Sequence, residues 1–558
     1  MNGSAWGSGG RVSRRSVIGM FAALGAAPVL GGTAGAAARP RWTVLRARPA
    51  RVDLGRRTVA TWAYDDVVPG PLIRATAGGT VRARLVNELP APTTVHWHGI
   101  RIAFPMDGAP GFSQEATRPG ETFDYEFTVP DAGTYFYHSH VGTQNDRGLY
   151  GALIVDDPHE PLRYDEEYTV VLDDWLDGVN GTPDDELRRL NASSEHDDSI
   201  RSAALGGVAG ETLYPHYLVN GRRPSAPVTF SARPGARARF RVINAAADTA
   251  FRFAIGGHRL TVTHTDGFPC APVTVDTVMI GMGERYDFLV TLEDGAFPLV
   301  AVAEGKRARA FAVVRTSPRA AAPEPGARVP QLNGRMLTYG DLNARREDQL
   351  PTATKSVRVT LGMRPSGSEW TLNGRLANDP LRLRVDEGET IRIVMENESP
   401  MWHPMHLHGH TFQVRGRTGR RGPRKDTVNI MPRERLRIDV HADNPGEWMF
   451  HCHNLYHQEQ GMMGVLGYGP QRRDLRMTHG TSGGTSGGTS GGTSGGTHSG
   501  GHGRPDRRTQ DDRPGGRQQG NEQGNEQGSR QGSRQGSRQG SRQGKGRRDD
   551  RRHRLGGH

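Results

Sequence analysis

The chain has 558 residues, of which 34% are hydrophobic, with 75 glycines and 36 prolines. It is long enough for several domain cores and too rich in turn formers to be mainly helical. The formal net charge of +12 sits at the two ends: residues 1–38 carry three arginines and no acid, and residues 501–558 carry 15 basic against 7 acidic side chains. The near-neutral body leaves no case for a nucleic-acid-binding core.

The N-terminus reads as a twin-arginine export signal over residues 1–38. Ser13-Arg14-Arg15-Ser16 leads into an apolar run to Leu30, and Thr33 to Ala38 supplies small residues for cleavage. The run is too short and too rich in Gly and Ala for a membrane anchor. The expected mature protein is exported, whether secreted, wall-bound or periplasmic, with no integral membrane segment.

A repeat then organises the chain. Val81 to Asn87 alternates like a strand, and nine residues after Asn87 comes His96, opening His96-Trp97-His98-Gly99. Gly133 leads in five residues to His138-Ser139-His140. The pattern returns near the C-terminus. Ile391 to Asn397 precedes His406-Leu407-His408-Gly409 by the same nine residues, and Gly446 precedes His451-Cys452-His453 by the same five. A middle copy runs from Ala238 to Asn244, with apolar Phe253 and Val300 at the corresponding positions.

These units predict an all-β chain of three domains, at residues 40–157, 160–317 and 355–470. Residues 473–558, with Thr-Ser-Gly-Gly and Ser-Arg-Gln-Gly repeats, are too poor in apolar residues to fold. This basic tail suits anionic cell-wall polymers as a partner.

One His-x-His pair is weak evidence among 22 histidines, but four at matched offsets are not. Residues i and i+2 of a strand share a face. His96 and His98, His138 and His140, His406 and His408, and His451 and His453 therefore present eight imidazoles, a donor set suited to copper. Cys452 lies between two of them and points the other way. His403, His457 and Met462 complete a set of two His, one Cys and a weak Met, the blue-copper pattern. Met463 is the alternative axial residue. Cys270, the second cysteine, reads as a small buried hydrophobe rather than a disulfide partner.

These motifs resemble the multicopper oxidase family, which includes laccases, bilirubin oxidases, ascorbate oxidase and cuprous oxidases. The resemblance implies three cupredoxin-like Greek-key domains and four copper ions. It assigns His403, Cys452, His457 and Met462 to a type 1 copper and His96 and His406 to a type 2 copper. It assigns His98, His138 and His453 to one type 3 copper, and His140, His408 and His451 to the other. It implies one-electron oxidation of a reductant at the type 1 site and reduction of O2 to water at the cluster.

Asp107 resembles the acid that supports proton delivery, with a turn aspartate before Gly108 as the alternative. Glu459 stands one residue beyond the position, here Gln458, where several bacterial members carry an acid. Gly283-Glu284-Arg285-Tyr286-Asp287 matches a family signature and reads as structural. Trp97 and Trp448 read as packing residues, and His410 as a neighbour of the ligands or a surface residue. The dispersed methionines favour a phenolic or aromatic reductant, with Cu(I) as the alternative. A non-catalytic surface or division protein on the same fold is a rival, disfavoured because every ligand is present.

Overall fold

The computed structural model describes residues 42–469, except 194–198, 366 and 417–418. The expected export signal, the repetitive tail and its histidines lie outside the described residues.

Strands dominate, and most of them group into three pairs of sheets. Residues from Thr43 to Asp156 form two four-stranded sheets. Residues from Glu166 to Arg315 and from Lys355 to Tyr468 each form a six-stranded sheet facing a five-stranded one. The strand Thr80–Asn87 shows why the sequence folds this way. Val81, Ala83, Leu85 and Asn87 are buried, while Arg82 and Arg84 alternate outward, and Arg84 meets Asp124 on the neighbouring strand at 2.6 Å. No helix of the described residues is long and apolar enough to cross a membrane.

The three asparagines that mark the repeat do the same work in each domain. The side-chain amide of Asn87 donates to the carbonyls of Ala91 and Thr117, and its oxygen accepts from Leu89 N. Asn244 donates to Thr249 and Ile280 and accepts from Ala246. Asn397 donates to Met401 and Ile430 and accepts from Ser399. Each asparagine satisfies the backbone of the loop that leads to the histidine strand or, in the middle domain, to its apolar counterpart, which gives a physical reason for the constant nine-residue step.

The histidine strands pair alike in the outer domains. His96 faces His138 and His406 faces His451. In the middle domain Phe253 faces Ala301, and Val300 faces Ala254. The positions are apolar there, but counting from Gly295 runs one residue out of register, because the turn and the ladder are set independently.

Residues 318–354 connect the second and third domains and pack tightly between them. The Tyr339 hydroxyl donates to Glu284 at 2.7 Å and accepts from Asn429 N at 2.9 Å.

Candidate metal centre

The eight paired histidines are buried, each 6% exposed or less. Their donor atoms form three groups within 4.8 Å: His96, His98 and His406; His98, His138 and His453; and His140, His408 and His451. Two domains contribute to every group. Strand pairing explains the convergence, since residues directly opposed across a ladder project to one face.

Hydrogen bonds set which nitrogen faces inward. The Nδ1–H groups of His96, His138, His406 and His451 donate to the backbone carbonyls of Asp107, Ser139, Asp426 and Cys452, at 2.8 to 2.9 Å. Their Nε2 atoms are left to face the other rings. His98 is reversed, with its Nε2 on the Asp426 carboxylate at 3.1 Å. The Nε2 atoms of His96, His138, His406 and His453 and the Nδ1 of His98 are buried without a hydrogen-bond partner among the described residues. Buried polar nitrogens are rarely left so, and five converging on one space fit a metal cluster. Burial, reinforced by the neighbouring rings, holds His98, His138, His140, His408, His451 and His453 well below the usual histidine range. Neutral imidazole is the form that binds metal.

The second site lies on the other face of the same strand. Nδ1 of His403 and Nδ1 of His457 are 3.0 Å apart, and the Cys452 sulfur stands 3.7 and 3.5 Å from them. Donors held at about 2.1 Å around one trigonal ion sit about 3.6 Å apart, so the triangle fits. Nε2 of His403 donates to Ser399 Oγ at 2.7 Å, and Nε2 of His457 lies 3.1 Å from the Glu211 carboxylate. Burial pushes the Cys452 thiol up, which a bound cation reverses by favouring thiolate.

Met462 is fully buried, and its backbone bonds both His457 O and Cys452 N. Met463 is the cross-strand partner of His451 and packs with Ala109, Ala377 and Met449. It therefore projects to the histidine-cluster face, away from the sulfur.

The strand ends at Cys452, and Asn454 caps a single helical turn, Leu455–Glu459, by accepting from Tyr456 N and His457 N. This turn brings His457 back to Cys452. Trp370 lies over His457, ring centroids 4.1 Å apart.

The remaining sequence candidates divide. Asp107 is buried and links the outer domains: its carboxylate accepts from His408 Nδ1 at 2.9 Å and lies 3.3 Å from His96 Nδ1. The turn at Gly108 is present, but the side chain is on the ligands. Glu459 is exposed at the end of the helical turn and accepts from Gln458 Nε2 at 3.2 Å, because the turn that places His457 inward directs Glu459 outward. Trp97 packs against Tyr125, Phe127 and Tyr137. Trp448 donates to Asn444 O at 2.7 Å. His410 is buried between His408 O and the Tyr468 hydroxyl. Cys270 is a buried free thiol that burial pushes up to about 12.

Three residues escaped the sequence reading. Glu211 sits in the loop beyond the short strand Gly207–Val208, with no spacing that ties it to His457. Asp426 follows a run of basic residues and accepts from Arg285 through two bonds, at 2.6 and 2.7 Å. Arg285 was visible only as part of the Gly283–Asp287 signature, and it touches the centre through Asp426.

Three family models described as multicopper oxidase match residues 47–160, 166–318 and 349–472. The chain is 44% identical to multicopper oxidase MmcO of Mycobacterium tuberculosis, over 82% of this chain and 97% of that one. It is 28% identical to copper resistance protein A of Escherichia coli, over 71% of this chain and 87% of that one. The crystal structure of a laccase from Botrytis aclada superposes with a TM-score of 0.65 at 25% identity, covering 76% of this chain and 87% of that one. With its histidine clusters fitted for copper and its three domains each matched, the chain belongs to the multicopper oxidase family and is an oxidoreductase.

Proposed function

We propose that the chain binds four copper ions and couples one-electron oxidation of a small reductant to reduction of O2 to water. One observation carries this: Cys452 faces His403 and His457 on one side of its strand, while His451 and His453 face six further imidazoles on the other. When bound, a type 1 copper accepts electrons singly, and a type 2 copper and a type 3 pair supply the four-electron reduction of O2.

The chain's own residues connect these ends. Cys452 is bonded through its backbone to both flanking histidines, so electrons have a covalent path between the sites. His451 Nδ1 donates to Cys452 O at 2.9 Å, a second link across the same residue. Asp107 holds His408 and His96 and offers a carboxylate where protons are consumed. Ser399 and Glu211 orient the two imidazoles of the sulfur site.

For the reductant, the buried edge of His457 favours Cu(I) over a phenol. His457 is 0% exposed, covered by Trp370, and its outer nitrogen meets the Glu211 carboxylate. A carboxylate recognises a small cation; a planar aromatic needs open access to the ring. The relative named for copper resistance supports the same reading, and the likeness to a laccase keeps a phenolic reductant as the second. We place the mature chain outside the cytoplasm, exported by the twin-arginine route, with its basic tail on anionic wall polymers.

Oxygen uptake by the copper-loaded protein tests this, with Cu(I), simple phenols and bilirubin as reductants. Cu(I) is expected to be oxidised with the highest kcat/KM, and Glu211→Gln is expected to lower kcat/KM for Cu(I) more than for a phenol. Faster turnover of a phenol than of Cu(I) would make the protein a laccase.

A further inference from the structure

The middle domain carries no residue of the ligand set, yet it presses directly on the histidine cluster. Arg285 is fully buried at the meeting point of all three domains. Its Nε donates to Thr134 O at 3.0 Å, in the first domain, and its two terminal nitrogens clasp the Asp426 carboxylate in the third. Asp426 then accepts from His98 Nε2, while its backbone carbonyl accepts from His406 Nδ1. A buried lysine beside it, Lys425, is held by Asp266 at 3.0 Å and Glu284 at 3.1 Å, both from the middle domain.

Two glycines show how close this approach is. Gly99, the glycine of His96-Trp97-His98-Gly99, has φ +88°, and a Cβ there would collide with Arg285 and the Asp426 carboxylate. Gly283 has φ +82°, and a Cβ there would stand 2.9 Å from a His453 ring carbon and 3.0 Å from His98 Cε1. Both positions demand a left-handed backbone and the absence of a side chain. The signature Gly283-Glu284-Arg285 is thus a turn shaped to touch His98 and His453.

Resting on the copper-cluster reading above, we propose that Arg285 is a positioning residue: through Asp426 it fixes His98 as the tautomer with a bare Nδ1 facing His138 and His453. Both oxygens of Asp426 are clasped by the Arg285 guanidinium, and one of them meets His98 Nε2 at 3.1 Å. A carboxylate paired in this way accepts, so His98 Nε2 carries the proton. The Nδ1 of His98 is then the lone pair left for metal, reversed from its neighbours, which use Nε2. A bidentate clasp does this better than a single charge, since a guanidinium fork fixes the plane of the carboxylate and an ammonium does not. The middle domain acts as the jig that sets one ligand's orientation, which explains why a domain without ligands stays pressed against the cluster.

The test uses the full chain, copper-free, with 15N-labelled histidine, and reads the His98 nitrogens by NMR, assigned by their loss in His98→Gln. Wild type is expected to show a bare Nδ1 and a protonated Nε2. Asp426→Asn and Arg285→Lys are expected to shift His98 toward the opposite tautomer or a mixture. After copper loading, both variants are expected to keep the intense thiolate–copper band of the Cys452 site and to hold less copper per chain, the loss falling on the pair that His98 helps to hold. A wild-type His98 protonated on Nδ1, which needs no variant to fold, overturns the proposal. So does an unchanged His98 spectrum in both variants. Failure to bind copper at all would instead overturn the functional reading, because the tautomer is read without metal.

Discussion

Cys452 shows how much one residue can decide when it sits on a strand. Side chains alternate, so a cysteine flanked by histidines must present sulfur and imidazole to opposite faces, and two sites become neighbours through one backbone. Replacing the sulfur should therefore remove the electron entry and leave the eight imidazoles in place. Cys452→Ser is expected to abolish the visible band and reduce oxidase turnover to background while the type 2 EPR signal survives. Measurable turnover in that variant would refute the electron path. The axial position is a finer case. Met462 follows the backbone that closes on His457 and Cys452, whereas Met463 projects with His451. Met462→Leu is expected to keep activity and raise the reduction potential, since a weak axial ligand tunes it. Met463→Leu should not move the potential, and the axial assignment fails if it does.

Among the elements, the short turn Leu455–Glu459 has the most to do with the least support. A five-residue helix is too short to persist by itself, and its stability comes from attachments. Asn454 caps it, and the same side chain donates to Asp248 at 2.6 Å, a carboxylate that Lys306 holds at 2.8 Å in the middle domain. Asn454→Ala should cost about 1 kcal/mol of stability. It should also broaden the visible band, because His457 loses its fixed approach to the sulfur. A band of unchanged width would show that Cys452 and His403 suffice to hold the site. This element also marks what the sequence can reveal. The histidine pairs, the repeat and the ligand-free middle unit are legible because they are local, with fixed spacing on strands. Arg285 and Asp426 are 141 residues apart, and His98 is 328 residues from Asp426, so no local pattern joins them. Glu211 is hidden for the same reason.

At the scale of the molecule, the described domains hold every ligand before Met463, and truncation near residue 475 is expected to leave turnover and copper content intact. An inactive truncated chain would give the tail a role in copper acquisition. The larger consequence concerns acid. Seven of the ligand histidines, His98, His138, His140, His403, His408, His451 and His453, are held well below their ordinary value of 6.5, chiefly by burial. Below pH 6.5 the unfolded chain takes up protons that the copper-free fold refuses, so stability falls as pH falls. Each such histidine can remove up to about 1.4 kcal/mol per pH unit. Asp146, Asp173, Asp174 and Asp266 act in the opposite sense, because burial raises their carboxyls and the fold then holds protons that the unfolded chain releases, but the histidines outnumber them. Bound copper stabilises the fold further, because it binds the native donors and the unfolded chain lacks the preformed site. Thermal unfolding of the copper-free protein is therefore expected to drop steeply between pH 7 and pH 5, while the loaded protein holds its midpoint until acid strips the metal. Parallel pH profiles for the two forms would mean that the buried imidazoles are already protonated in the native chain, and the neutral cluster on which the copper assignment depends would not exist.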